Sequence, residues 1–129
     1  MVYWRRVSDP ADTIQRVCLE LPEVTERLSH GAPTYFIRLK TSFATVRMDG
    51  HHHQEFPHLV CAAGTGVQQS LVAGRPDQFF VPAYVGGRGW IGVRLDRGVT
   101  EDELVDLCED AYRTVAPATL VRRWEAERG

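Results

Sequence analysis

The stretch "QFFVPAYVGGRGWIGVRLDRGVTEDELVDLCEDAYRTVAP", residues 78–117, changes its apolar rhythm halfway along, and that change decides the fold. Its first half holds two short segments rich in aromatic and β-branched residues, "QFFVPAYV" and "GWIGVRL", separated by glycines. That is the pattern of neighbouring strands. In its second half Leu104, Val105, Leu107, Cys108, Ala111, Tyr112 and Val115 recur at helical spacing. Thr100 and Glu103 have the three-residue offset of a capping box, in which each side chain accepts from an exposed N–H of the first turn. Acids crowd that first turn, where the helix dipole favours them, and Pro117 ends the helix.

Upstream, residues 24–63 read the same way as the first half of that stretch. "VTERLSH", "TYFIRL", "FATVRM" and "HLVCAA" are strand candidates, with turns expected at Thr41-Ser42 and Asp49-Gly50. "GVQQSLVAG", residues 66–74, has near-helical spacing and should cap one edge of the sheet. At the front, Asp9 and Pro10 form a helix start ahead of Ile14, Val17, Cys18 and Leu21, and Pro22 stops that helix. A last helix, "PATLVRRWEAERG", closes the chain. The order predicts a single α+β domain over residues 1–129: a mostly antiparallel sheet of five to six strands, with N- and C-terminal helices packed on one face.

With 129 residues the chain suits one core, and its 43% hydrophobic and 25% charged content is that of an ordinary globular protein. No apolar run is long enough to span a membrane, and the start lacks a signal-peptide core, so a cytoplasmic location is expected. Cys18, Cys61 and Cys108 are far apart and odd in number, which suits reduced core thiols. A net charge of −2 disfavours a protein that depends wholly on phosphate contacts.

The residues 74–120, together with "LPEVTERLSHGAPTYFIRLKTSFATV" at residues 21–46, resemble the MmcQ/YjbR family. The shared marks are a proline-containing strand, a turn, a "GW" strand and a closing helix with a tyrosine near its end. The resemblance implies a CyaY-like fold, an antiparallel sheet flanked by helices, and a DNA-binding role. It also raises iron binding by an acidic ridge, but Asp9, Asp12, Glu20, Glu23 and Glu26 are interleaved with Arg16 and Arg27, so the negative field is weak.

Three site candidates follow from the residues. Arg38, Lys40 and Arg47, with Arg75, Arg88 and Arg94, would form a nucleic-acid face if they share one side of the sheet, with Trp90 or Tyr84 as a stacking surface. The plainer alternative makes both aromatics core and the arginines a solvated face. Histidines are concentrated in "RMDGHHHQEFPHLV". If the return strand begins just after Gly50, His51 and His53 converge, with His58 or Glu55 as a third ligand. They lack the longer-range partners most zinc sites use, so no metal or other cofactor is expected. Finally, His58 and Cys61 are three apart and point to opposite faces of a strand, so no nucleophile and base assemble. The reading is a DNA-binding module without catalysis. The alternative is a small-ligand or protein module that uses the cleft between sheet and helices or an apolar patch with Trp4 or Trp124.

Overall fold

A computed structural model describes residues 9–50 and 54–128. Helix α1 (Pro10–Leu19) starts where Asp9 accepts a hydrogen bond from the Ala11 amide at 3.0 Å. Strands β1 (Val24–Ser29), β2 (Ala32–Ile37) and β3 (Thr41–Arg47) follow, then β4 (His58–Cys61), helix α2 (Val67–Gly74), β5 (Phe79–Phe80) and β6 (Ile91–Arg94). Helices α3 (Glu101–Val115) and α4 (Ala118–Arg128) finish the chain. The strands form one antiparallel sheet in the order β1-β2-β3-β4-β6-β5. Among the described residues no helix is long and apolar enough to cross a membrane.

Register separates the two faces of the sheet. Tyr35, Ala44, Cys61 and Ile91 are paired in one row across β2, β3, β4 and β6, and Val46, Leu59 and Val93 in the next. All seven are at most 2% exposed, because α1 and α3 lie on this face. A bulge sharpens the arrangement: Tyr35 faces Ala44 while Phe36 faces Ser42, so Phe43 is an extra residue in β3. It turns its ring edge-on to Tyr112 of α3 at 5.8 Å. Tyr112 then donates its hydroxyl hydrogen to the Pro22 carbonyl at 2.8 Å, tying the end of α3 to the loop after α1.

α3 starts with the reciprocal cap its sequence announces, Glu103 N–H to Thr100 Oγ1 at 3.1 Å and Thr100 N–H to Glu103 Oε1 at 3.2 Å. α4 folds back so that Trp124 meets Tyr112 edge-on at 5.6 Å, and is buried there rather than part of an exposed patch. Trp4 lies outside the described residues. α2 rests against the edge strand β5.

Two expected connections differ. The turn between β2 and β3 is Arg38-Leu39-Lys40, with Arg38 and Leu39 both at positive φ (55° and 62°), and Thr41 already belongs to β3. Of the return strand expected after Asp49-Gly50, residues 51–53 lie outside the described residues. Arg47 instead pairs with His58, and Pro57, just before β4, suits a loop better than a ladder. The strand expected over residues 78–85 shrinks to Phe79–Phe80, because Pro82 cannot donate to a ladder and Tyr84 adopts φ +66°.

Candidate functional site

The face of the sheet away from the helices carries the other half of each strand's alternation. One row across it is Thr34, Thr45, Val60, Gly92 and Phe80, and the next is Arg47, His58 and Arg94. Residues 81–89 arch beside these rows and close a pocket of about 180 Å³. Its floor is Ser42, Thr45, Arg47, His58 and Val60. Phe80 and Trp90 make one wall, and Pro82 to Val85, Arg88 and Gln54 complete it. Among the described residues no carboxylate lines it.

Sequence-local features build this wall. Gly92 is required by a close approach: a Cβ there would meet the Phe80 ring at 2.4 Å. Gly92→Ala should therefore cost about 1–3 kcal/mol of stability by displacing Phe80, read from the denaturation midpoint. The amide of Gln68, a buried α2 residue, donates to the Gly86 carbonyl at 2.9 Å and the Trp90 carbonyl at 2.6 Å. It thereby pins the 3₁₀ turn Gly86–Arg88 against the start of β6.

His58 stands at the centre, 2% exposed. Its ring packs edge-on against Phe56 (5.7 Å) and Phe80 (5.4 Å). Nδ1 lies 2.9 Å from the Phe56 carbonyl, which can only accept, so Nδ1 carries the proton and a neutral ring leaves Nε2 as an acceptor. Nε2 has no partner among the described residues. Burial lowers the histidine below its ordinary value and the neighbouring Arg47 charge adds to this, against the opposing effect of the Phe56 carbonyl.

Because the unfolded chain binds this proton more readily, the contribution of His58 to stability is complete above its unfolded pKa of about 6.5. It is lost as pH falls from there through the lower folded value. The expected slope is at most about 1.4 kcal/mol per pH unit, and it should flatten in His58→Phe. Unfolding titrations above about pH 4.5 separate it from the carboxylates, whose ordinary values lie lower.

The six basic candidates are divided by the fold. Arg38 is in the β2–β3 turn, paired with Glu23 at 2.8 Å, and Lys40 is beside it, at the opposite end of β3 from Arg47. Arg75 follows α2 and is paired with Glu103 of α3 at 2.5 Å. Arg94 shares the row of Arg47 and His58, but Asp96 takes its guanidinium at 3.0 and 2.9 Å while Phe56 lies under it at 3.8 Å. Arg47 and Arg88 remain. Neither has an acidic partner among the described residues, both line the pocket, and Arg88 sits 5.0 Å above the Trp90 ring. The one-sided cluster of six is thus reduced to two in the pocket, since acids hold three of the others, two of them from 15 and 28 positions away. Of the stacking candidates, Trp90 is buried and Tyr84 is 81% exposed at the rim.

His51 and His53 lie outside the described residues, and no group of three His, Cys, Asp or Glu that could hold a metal occurs among those described. The cysteines converge on the helix-covered face. A hydrogen bond with Cys108, together with burial, raises the Cys18 thiol, and burial raises Cys61, so both stay protonated and unreactive. Between sheet and helices lie edge notches of about 180 and 130 Å³, and larger hollows of about 500 and 300 Å³ lie between α2 and α3 and among α1, α3 and α4. The sequence pattern did not expose Thr45, Phe80, Gln54 or Gln68. Alternation along β3 offered the only signal for the first, and a glutamine among the apolar residues of α2 for the last.

The crystal structure of Deinococcus radiodurans protein DR2400, with a DUF419 domain, has this fold at a TM-score of 0.71 and 18% identity, over 93% of this chain and 90% of that one. No curated protein matches the chain. The YjbR family model matches residues 19–114, which run from the end of α1 through β1 to β6 and nearly all of α3. Those residues include the whole sheet and both walls of the pocket, and the chain belongs to the YjbR family.

Proposed function

We propose that this protein is a non-catalytic binding module that holds an anionic ligand in the open-face pocket. The observation that carries this reading is that Arg47 and Arg88 line one pocket, neither with an acidic partner, and that no carboxylate lines it, among the described residues. A guanidinium held beside low-dielectric aromatic walls attracts an anion more strongly than one in open water. Among the described residues no nucleophile-and-base pair assembles, which supports binding over turnover: His58 and Cys61 face opposite sides of β4, and the thiols are buried.

The pocket is smaller than the roughly 300–1,000 Å³ that encloses a whole drug-sized ligand. It therefore admits one group of the ligand while the rest lies over the sheet. A single strand of DNA is the second reading, favoured by the exposed Tyr84 at the rim beside Arg88, where an unpaired base has a ring to stack on. Duplex DNA is disfavoured, because Arg38 and Lys40 are displaced to the far end of β3 and Arg75 and Arg94 already hold acids.

The test is calorimetric titration with inorganic phosphate, adenosine monophosphate and a short single-stranded oligonucleotide, at about 50 and about 200 mM salt. Binding that weakens with salt and disappears in Arg47→Glu/Arg88→Glu supports the reading. A small-ligand site gives a shallow salt slope and an oligonucleotide no tighter than the monophosphate, whereas a DNA site gives the steeper slope of several phosphate contacts. Heat from none of the three, or binding unchanged in the variant, overturns it.

A further inference from the structure

Resting on the anion-binding reading, we propose that Thr45 and His58 form an acceptor pair that selects a ligand whose planar ring carries an amino group, as in adenine or cytosine. Thr34 donates its one hydroxyl hydrogen to the Ala32 carbonyl at 3.1 Å, so in the 3.2 Å contact between Thr34 and Thr45 the hydrogen belongs to Thr45. Thr45 lines the pocket, and its oxygen, having given its hydrogen to Thr34, is left to act there as an acceptor. His58 Nε2 is the second acceptor, in a ring that is nearly wholly buried, with its other nitrogen fixed as a donor to Phe56.

The two acceptors belong together. Thr45 pairs with Val60 and Arg47 with His58, which makes Thr45 and His58 diagonal neighbours on one face, about 7–8 Å apart at their backbones. A flat ring entering beside Phe80 and Trp90 meets both, while its anionic substituent reaches Arg47 and Arg88. An exocyclic amino group placed between the half-buried Thr45 and the buried His58 gives each acceptor a hydrogen, whereas a carbonyl oxygen in the same place meets their lone pairs.

The experiment compares matched pairs that differ at this edge: adenosine against inosine monophosphate, and cytidine against uridine monophosphate, with inorganic phosphate as the reference anion. The amino member of each pair should bind roughly tenfold or more tightly. Thr45→Val should erase most of that preference, and Thr45→Ser should restore it. His58→Phe keeps the aromatic packing and serves as the second variant, with the same expected loss of preference. Equal affinities within each pair, or a preference that survives both substitutions, overturn the acceptor-pair assignment while leaving anion binding intact. No affinity for phosphate or any nucleotide overturns the anion-binding reading itself.

Discussion

Phe43→Ala should destabilise the protein by about 3–5 kcal/mol, enough to consume much of the margin of a domain this size. Phe43 is fully buried and is the extra residue of the β3 bulge, so its ring stands where α3 must land. Removing it empties the space against Tyr112, and Tyr112 is held at two other points, by Pro22 and by Trp124. The surroundings are therefore poorly able to collapse into the cavity, which places the cost at the upper part of the usual range. Chemical denaturation followed by circular dichroism measures it. A cost below about 1 kcal/mol would show that the bulge does not anchor α3.

Arg47→Glu/Arg88→Glu should weaken anion binding by about 2 kcal/mol or more, some thirtyfold in affinity. Each arginine contributes a charge-assisted contact, and reversal also replaces attraction with repulsion. Arg88 is exposed and contributes the smaller part, since solvent screens it; Arg47 sits deeper, beside His58. The fold should survive, because neither residue has an acidic partner to abandon among the described residues, and the main loss is the contact of Arg88 with Trp90, worth about 0.5–1 kcal/mol. Paired measurements of affinity and melting temperature separate a lost site from a lost fold.

Local signals carried most of the architecture. The Thr100 and Glu103 cap, the Asp9-Pro10 start and the alternation of the strands are each written within a few residues, and each appears as expected. The differences arise where a distant partner decides. Phe43 reads as an ordinary strand residue until Tyr35 and Phe36 set the register that makes it a bulge. The pairing of Arg47 with His58 sets β4 between β3 and β6, where Val60 meets Gly92, a register that no local motif announces. The site shows the same division more strongly. Glu23, Asp96 and Glu103 settle which arginines are free, and two of those three acids are 15 and 28 positions from the residue they neutralise. Spacing along one sequence contains no record of such pairs. The aromatic wall was half legible: the "GW" motif marked Trp90, whereas Phe80 became part of the pocket only because the chain leaves the sheet at residue 81.

The most direct measurement is a nuclear magnetic resonance titration that follows arginine Nε–H and tryptophan indole N–H signals as adenosine monophosphate is added. The account predicts that Arg47, Arg88 and Trp90 shift together along one binding curve while Arg38, Arg75 and Trp124 stay in place. Shifts confined to Arg38 or Arg75, or no shift at Arg47 at saturating ligand, would contradict it.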